Sequence, residues 1–231
     1  MPLLPEEKLI WSPIVANSRM NRERKASGFN SYEKEFKFKP ETFLESKIKE
    51  FGHASWLDLC CGQGNALIQT AYAFRDQGLQ AHISLTGIDL LDLFQSFDQN
   101  ITCLHFETGS VVSWETREAY DLITCSHGLH YLGDKLKVIE NGIGALKTGG
   151  VFVANLDLKN ILIADHDSNK FLKSLFKLHG IEYSSAAKTI KRTGPKIIRF
   201  NLDYLGADDR TGPNYTGQDS VTSCYAHKPT K

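Results

Sequence analysis

The sequence predicts an α/β protein: a doubly wound, mostly parallel seven-stranded sheet with a C-terminal antiparallel strand pair, plus an N-terminal lid segment. Three observations predict it. After Gly52, apolar runs of strand length alternate with stretches of helical periodicity. A turn with two glycines, Gly62-Gln63-Gly64, joins the first run to the first helix that follows it. In the last third the alternation stops, and two period-two segments follow one another across a loop rich in Gly, Asp and Asn.

Residues 1–39 are polar and irregular, with Arg19, Arg22, Arg24 and Lys25 close together. They are set apart as the lid, and residues 40–231 as one domain. Pro40 suits a first helical position, and Phe43, Leu44, Ile48 and Phe51 keep helical spacing up to a stop at Gly52. "ASWLDLC" reads as a strand, and "NALIQTAYAFRDQG" as a helix from an Asn cap to a Gly stop. "HISLTGID" is a strand, "LLDLFQSF" a short helix, "ITCLHFE" and "YDLITCS" strands, and "GDKLKVIENGIGAL" a helix. "TGGVFVANL" follows as a strand and "SNKFLKSLFKLHG" as a helix. The closing pair is "KIIRFNLDYL" and "SVTSCYAHK".

Composition narrows the function. At 41 % apolar residues the chain can build a core. Its 27 basic and 27 acidic residues balance, so no global field draws in nucleic acid or lipid. The five cysteines contain no C-x-x-C, and no His/Cys cluster has zinc spacing, so no metal is expected. The start shows no basic, apolar leader, and a cytoplasmic protein with reduced thiols is the simplest expectation.

A glycine turn at the end of a parallel strand points backbone N–H groups at a ligand. A dinucleotide turn needs a small residue at its last position, where this chain has Leu67. Asp89 ends the second strand, 25 residues after Gly64, where a carboxylate can accept from both hydroxyls of a ribose. "LDLCCGQG", "LTGIDLLD", "YDLITCSHGLHYLGD" and "ALKTGGVFVANLD" together resemble the successive motifs of class I S-adenosylmethionine-dependent methyltransferases, the Rossmann-like family. The resemblance covers about residues 40 to 160 and implies S-adenosylmethionine as cofactor. It implies that Asp58, Gly62 and Gly64 frame the methionine part, with Cys60 where the family often has its first glycine. It also implies that Asp89 and Leu90 serve the ribose side, Ser110 and Val111 the adenine, and that Ser126 lies beside the methyl group.

Ligands of such sheets bind at the carboxyl ends of the strands, which makes His127, His130 and Tyr131 candidates for base or acceptor anchor. The histidine–tyrosine pair at 130–131 also has a plain reading as packing. The loop 206–219 and the segment before residue 41 are expected on the same face. There Arg22 is the candidate clamp for a carboxylate, of the cofactor or of the substrate, and Arg19, Asp208, Asp209, Asn214 and Tyr215 the candidate substrate contacts. Pairing of these charges with one another is the competing reading. The function expected is methyl transfer to an O or N atom of a small polar metabolite. The alternatives are a protein or nucleic-acid acceptor, or a non-catalytic partner subunit. A small-molecule acceptor is the expected partner, without nucleic acid or membrane, and a homodimer is left open.

Overall fold

The structure is a computed structural model that describes residues 3–15 and 23–228 of the 231. Its centre is β1 (Ala54–Leu59), in which all six residues are buried. β1 lies between β2 (Ile83–Asp89) and β4 (Tyr120–Cys125), parallel to both. β3 (Leu104–Thr108) and β5 (Leu146–Asn155) extend the parallel sheet outward. An antiparallel hairpin, β7 (Glu182–Ser184) and β8 (Thr189–Thr193), completes seven strands in the order β3-β2-β1-β4-β5-β8-β7.

Helices cover both faces, which is why the central strands read as continuous apolar runs. Trp56 and Leu122 pack against Leu67 and Phe74 of α4 (Asn65–Asp76) and Leu44 of α3 (Pro40–Phe51). On the opposite face Leu57, Leu59 and Ile123 meet Leu136 and Ile139 of α5 (Lys135–Gly144) and Leu172 and Phe176 of α6 (Ser168–His179). Helix boundaries follow local chemistry. Pro40 opens α3, the Asp134 and Asp167 side chains cap α5 and α6, and Gly52 and Gly180 end α3 and α6 in the left-handed region. The cap of α4 is Gly64 rather than the expected Asn65.

Three elements differ from expectation. Residues 90–97 form no helix, because Phe94 and Phe97 turn onto the Phe106 ring, with centroids at 4.6 and 5.9 Å. The β7–β8 hairpin does not stand out in the sequence, since Ile190 is its one fully buried residue. The antiparallel C-terminal pair does form, from β9 (Leu202–Asp208) and β10 (Thr222–His227), but in a separate three-stranded sheet with β6 (Ile161–Ile163).

This small sheet is locked to the large one by Lys135. Its ammonium is fully buried and donates to Leu132 O, Val221 O and Ser223 Oγ at 2.8–2.9 Å. Burial pushes it down to about 7, with Glu6, Cys224 and Asp134 acting the other way. The N-terminal chain crosses the same sheet. Leu4 pairs with Ala207, α1 (Glu6–Leu9) follows, and Ser12 Oγ donates to Asp209 at 2.6 Å. A second short helix, α2 (Tyr32–Phe36), is capped by Ser31 and precedes α3.

Candidate functional site

At the carboxyl ends of β1, β2 and β4 lies a cleft of about 1060 Å³, counted to its open mouth. The turn after β1 forms its floor through Cys60, Cys61 and Gly62. Cys60 holds a left-handed backbone (φ 57°) that a glycine would adopt without strain. Its thiol is pushed well up by contact with Cys125 and by burial, so it stays protonated. Cys61 N–H donates to Ile88 O, which ties the turn to β2.

Asp89 closes that tie. Its Oδ2 accepts from Gly62 N–H at 2.8 Å, and its Oδ1 accepts from Leu91 N–H at 3.2 Å. The same carboxylate lines the cleft beside Leu90. Gly109, Ser110 and Val111 also line the cleft. Ser126, His127 and Gly128 line the other end. Ser126 Oγ is buried there and meets no hydrogen-bond partner among the described residues.

Two residues assigned to the ligand sit behind the wall instead. Asp58 is fully buried and absent from the cleft lining. It accepts from Thr124 Oγ1 at 2.5 Å and from Tyr32 O–H at 2.8 Å, so it binds the wall to α2. Burial raises its carboxyl to about 7, against the two hydroxyl donors. Gly64 faces the core. A Cβ on it would come within 2.2 Å of the Phe106 ring. The same ring and Leu67 both crowd Gly87 of β2, at 2.7 Å from a Cβ placed there. The bulk of Leu67 is therefore accommodated by a glycine in the strand.

The candidates after β4 separate in the structure. His127 lines the cleft, with its Nε2 3.2 Å from Glu35 Oε2. Tyr131 also lines it and donates to Gln218 Oε1 at 2.8 Å. His130 is fully buried outside the lining, with neither ring nitrogen hydrogen-bonded among the described residues. Burial, with His127 and Lys135 nearby, pushes it down to about 3, so the ring is neutral and a poor proton acceptor. It packs against Tyr215 and His127, at centroid distances of 5.5 and 5.8 Å.

The flanking segments do reach the cleft, through other residues. Arg19 and Arg22 lie outside the described residues. Arg24 lines the cleft and pairs with Glu35 Oε2 at 3.2 Å. From the loop 206–219, the lining residues are Thr216 and Gln218. Asp208 accepts from Arg210 N–H, Asp209 from Ser12, and Asn214 Oδ1 from Thr216 N–H and Oγ1, so these three shape and anchor the loop rather than face the cleft. Tyr215 accepts at its hydroxyl from Asn155 Nδ2 at 3.2 Å, behind His127. Burial, with Glu35 nearby, pushes its phenol up to about 12. The loop reaches the cleft from the separate three-stranded sheet rather than from the seven-stranded one.

Sequence reasoning missed Glu35, Asn155 and Tyr32, along with Glu6, Ile10 and Val15, which also line or support the cleft. Glu35 and Tyr32 lie in "SYEKEF", whose one local signal is the Ser31 cap.

A family model described as a methyltransferase domain matches residues 29–177. No curated protein matches the chain. Among solved structures, a sugar N-methyltransferase from Streptoalloteichus is 19% identical, with 50% of this chain and 46% of that one covered and a TM-score of 0.37. The N-methyltransferase NodS from Bradyrhizobium japonicum is 16% identical over 83% of this chain and 98% of that one, with a TM-score of 0.43. An amino pentose methyltransferase from Micromonospora echinaspora is 20% identical over 50% and 48%, at 0.37. The chain thus spans about half the length of the first and third of these. Among the described residues no helix is long and apolar enough to cross a membrane.

Proposed function

Because this chain belongs to the methyltransferase-domain family, the S-adenosylmethionine-dependent enzymes of this doubly wound fold, we propose that it methylates an O or N atom of a small polar metabolite. The observation that supports a small acceptor is the cleft itself. Segments outside the large sheet contribute to its lining, with Glu6, Ile10 and Val15 from the N-terminal chain and Thr216 and Gln218 from the loop 206–219.

The residues present fit the cofactor. Leu90 and Val111 would cover the purine, and Asp89 would accept from the ribose. Arg24 would face the carboxylate of the methionine part, the role first assigned to Arg22. The orphaned Ser126 Oγ would find its partner in bound ligand. When bound, the cofactor supplies an electrophilic methyl group on a good leaving group. The protein then contributes alignment and exclusion of water, effects that together are worth about 7–11 kcal/mol in favourable cases. His127 stands beside Ser126 to receive a proton, and Tyr131 and Gln218 offer hydrogen bonds to the acceptor.

Calorimetry with S-adenosylmethionine, S-adenosylhomocysteine and a nicotinamide dinucleotide tests the first half of this reading. The two sulfur ligands should bind and the dinucleotide should not. Transfer of labelled methyl groups to a panel of small alcohols, phenols and amines tests the second half. Transfer to protein or nucleic acid alone would overturn it.

A further inference from the structure

Glu35 has no part in the function proposed so far, yet it is held at three points. Its Oε1 accepts from Asn155 Nδ2 at 2.6 Å, and its Oε2 lies 3.2 Å from both Arg24 and His127 Nε2. Asn155, fully buried at the end of β5, also accepts at Oδ1 from the His127 backbone N–H at 3.1 Å. The backbone of His127 is thus hydrogen-bonded by Asn155, its ring lies at ion-pair distance from Glu35 without a formed hydrogen bond, and those two side chains are bonded to each other. The His127 backbone is left-handed, at φ 59°. A non-glycine residue is sterically strained in that conformation. A strained backbone held by a buried amide and a carboxylate serves placement of the ring better than it serves stability.

We propose that Glu35 is the positioning residue for His127, turning Nε2 toward its own carboxylate and leaving Nδ1 for an acceptor that must lose a proton, a hydroxyl or an ammonium. This rests on the methyl-transfer reading above. In the transfer, the bond from the acceptor atom to the methyl carbon forms as the carbon–sulfur bond breaks, its electron pair leaving on sulfur. The acceptor's proton passes to Nδ1, and the imidazolium formed is stabilised by Glu35. That carboxylate is available as an anion: the His127 contact, opposed by burial and helped by Asn155 and Arg24, holds it at about 2. The other groups around His127 are Arg24, paired with the same carboxylate, and the His130 and Tyr215 rings.

The test needs no acceptor. Long-range nitrogen–proton NMR of the ligand-free protein reads the tautomer and titration midpoint of each histidine, with His127→Asn identifying the signal. Neutral His127 should carry its proton on Nε2. Its midpoint should fall by about one unit in Glu35→Gln, the usual size of losing an adjacent opposite charge. Glu35→Asp should restore part of that shift. Arg24→Gln, a second route should Glu35→Gln fail to fold, should raise the midpoint. An unchanged midpoint in a folded variant, or a neutral ring protonated on Nδ1, overturns the inference. Calorimetry on the wild type separates the two failures. Absence of S-adenosylmethionine binding removes the functional reading, whereas binding with an indifferent His127 removes only the role of Glu35.

Discussion

Gly64→Ala should damage stability and spare the cofactor site. The glycine sits at φ 75°, and its missing Cβ faces the Phe106 ring, 2.2 Å away. Left-handed backbone in alanine costs about 1–2 kcal/mol, and an overpacked core about 1–3 kcal/mol more. The ring has little room to yield, since Phe94 stacks on it at 4.6 Å and Gly87 lies beneath it. A loss of about 3 kcal/mol would lower the melting temperature by roughly 6–12 °C for a chain of this size. Urea unfolding measures the loss, and calorimetry on the folded variant measures affinity for S-adenosylmethionine. Gly64→Ala combined with Phe106→Leu should recover at least about 1 kcal/mol relative to the sum of the single changes, because the smaller side chain vacates the contact. Unchanged stability with a large fall in affinity would refute the reasoning and return Gly64 to the ligand.

Three further outcomes follow from the same geometry. Asp89→Ala should weaken S-adenosylmethionine binding by more than about tenfold, since it removes a ribose acceptor and frees Gly62 N–H from its partner; wild-type affinity in the folded variant would contradict it. Lys135→Met leaves three buried acceptors without a donor and should cost about 3–5 kcal/mol in urea unfolding, with the β9–β10 sheet losing hydrogen-exchange protection first. Glu35→Gln should lose stability in a pH-dependent way. The carboxyl is held at about 2, below its ordinary 4.5, so the folded state binds fewer protons than the unfolded one. The difference from wild type should therefore be full, at roughly 2–3 kcal/mol, above about pH 4.5 and should shrink as the pH falls toward 2. A difference that stays constant between about pH 6 and 3 would show that the carboxylate is not held by charge.

Much of the fold is written locally. The runs 54–59, 120–125 and 150–155 are mostly apolar because both faces of those strands are covered, and Pro40, Gly52, Asp134, Asp167 and Gly180 mark helix ends by backbone and capping chemistry that acts within a few residues. The glycine turn and Asp89 are legible for the same reason, since a strand, a turn and a carboxylate at the next strand end are local features in register. What the chain alone could not reveal depends on partners distant in sequence. Gly64 reads as a ligand glycine until Phe106 arrives beneath it, and Asp58 reads as a ligand residue until Tyr32 and Thr124 close over it. Leu67 looks obstructive until Gly87 makes room. The β7–β8 hairpin has too little buried surface to show a period, and the free edge of β5 is what makes it a strand pair. Glu35, 120 residues from Asn155 and with no distinguishing neighbour in its own segment, joins His127 only when the chain before α3 folds back across the carboxyl ends of the sheet. Backbone propensity and apolar spacing act over a few residues and so are carried in the sequence, whereas burial and hydrogen-bond partnership are properties of where distant segments meet.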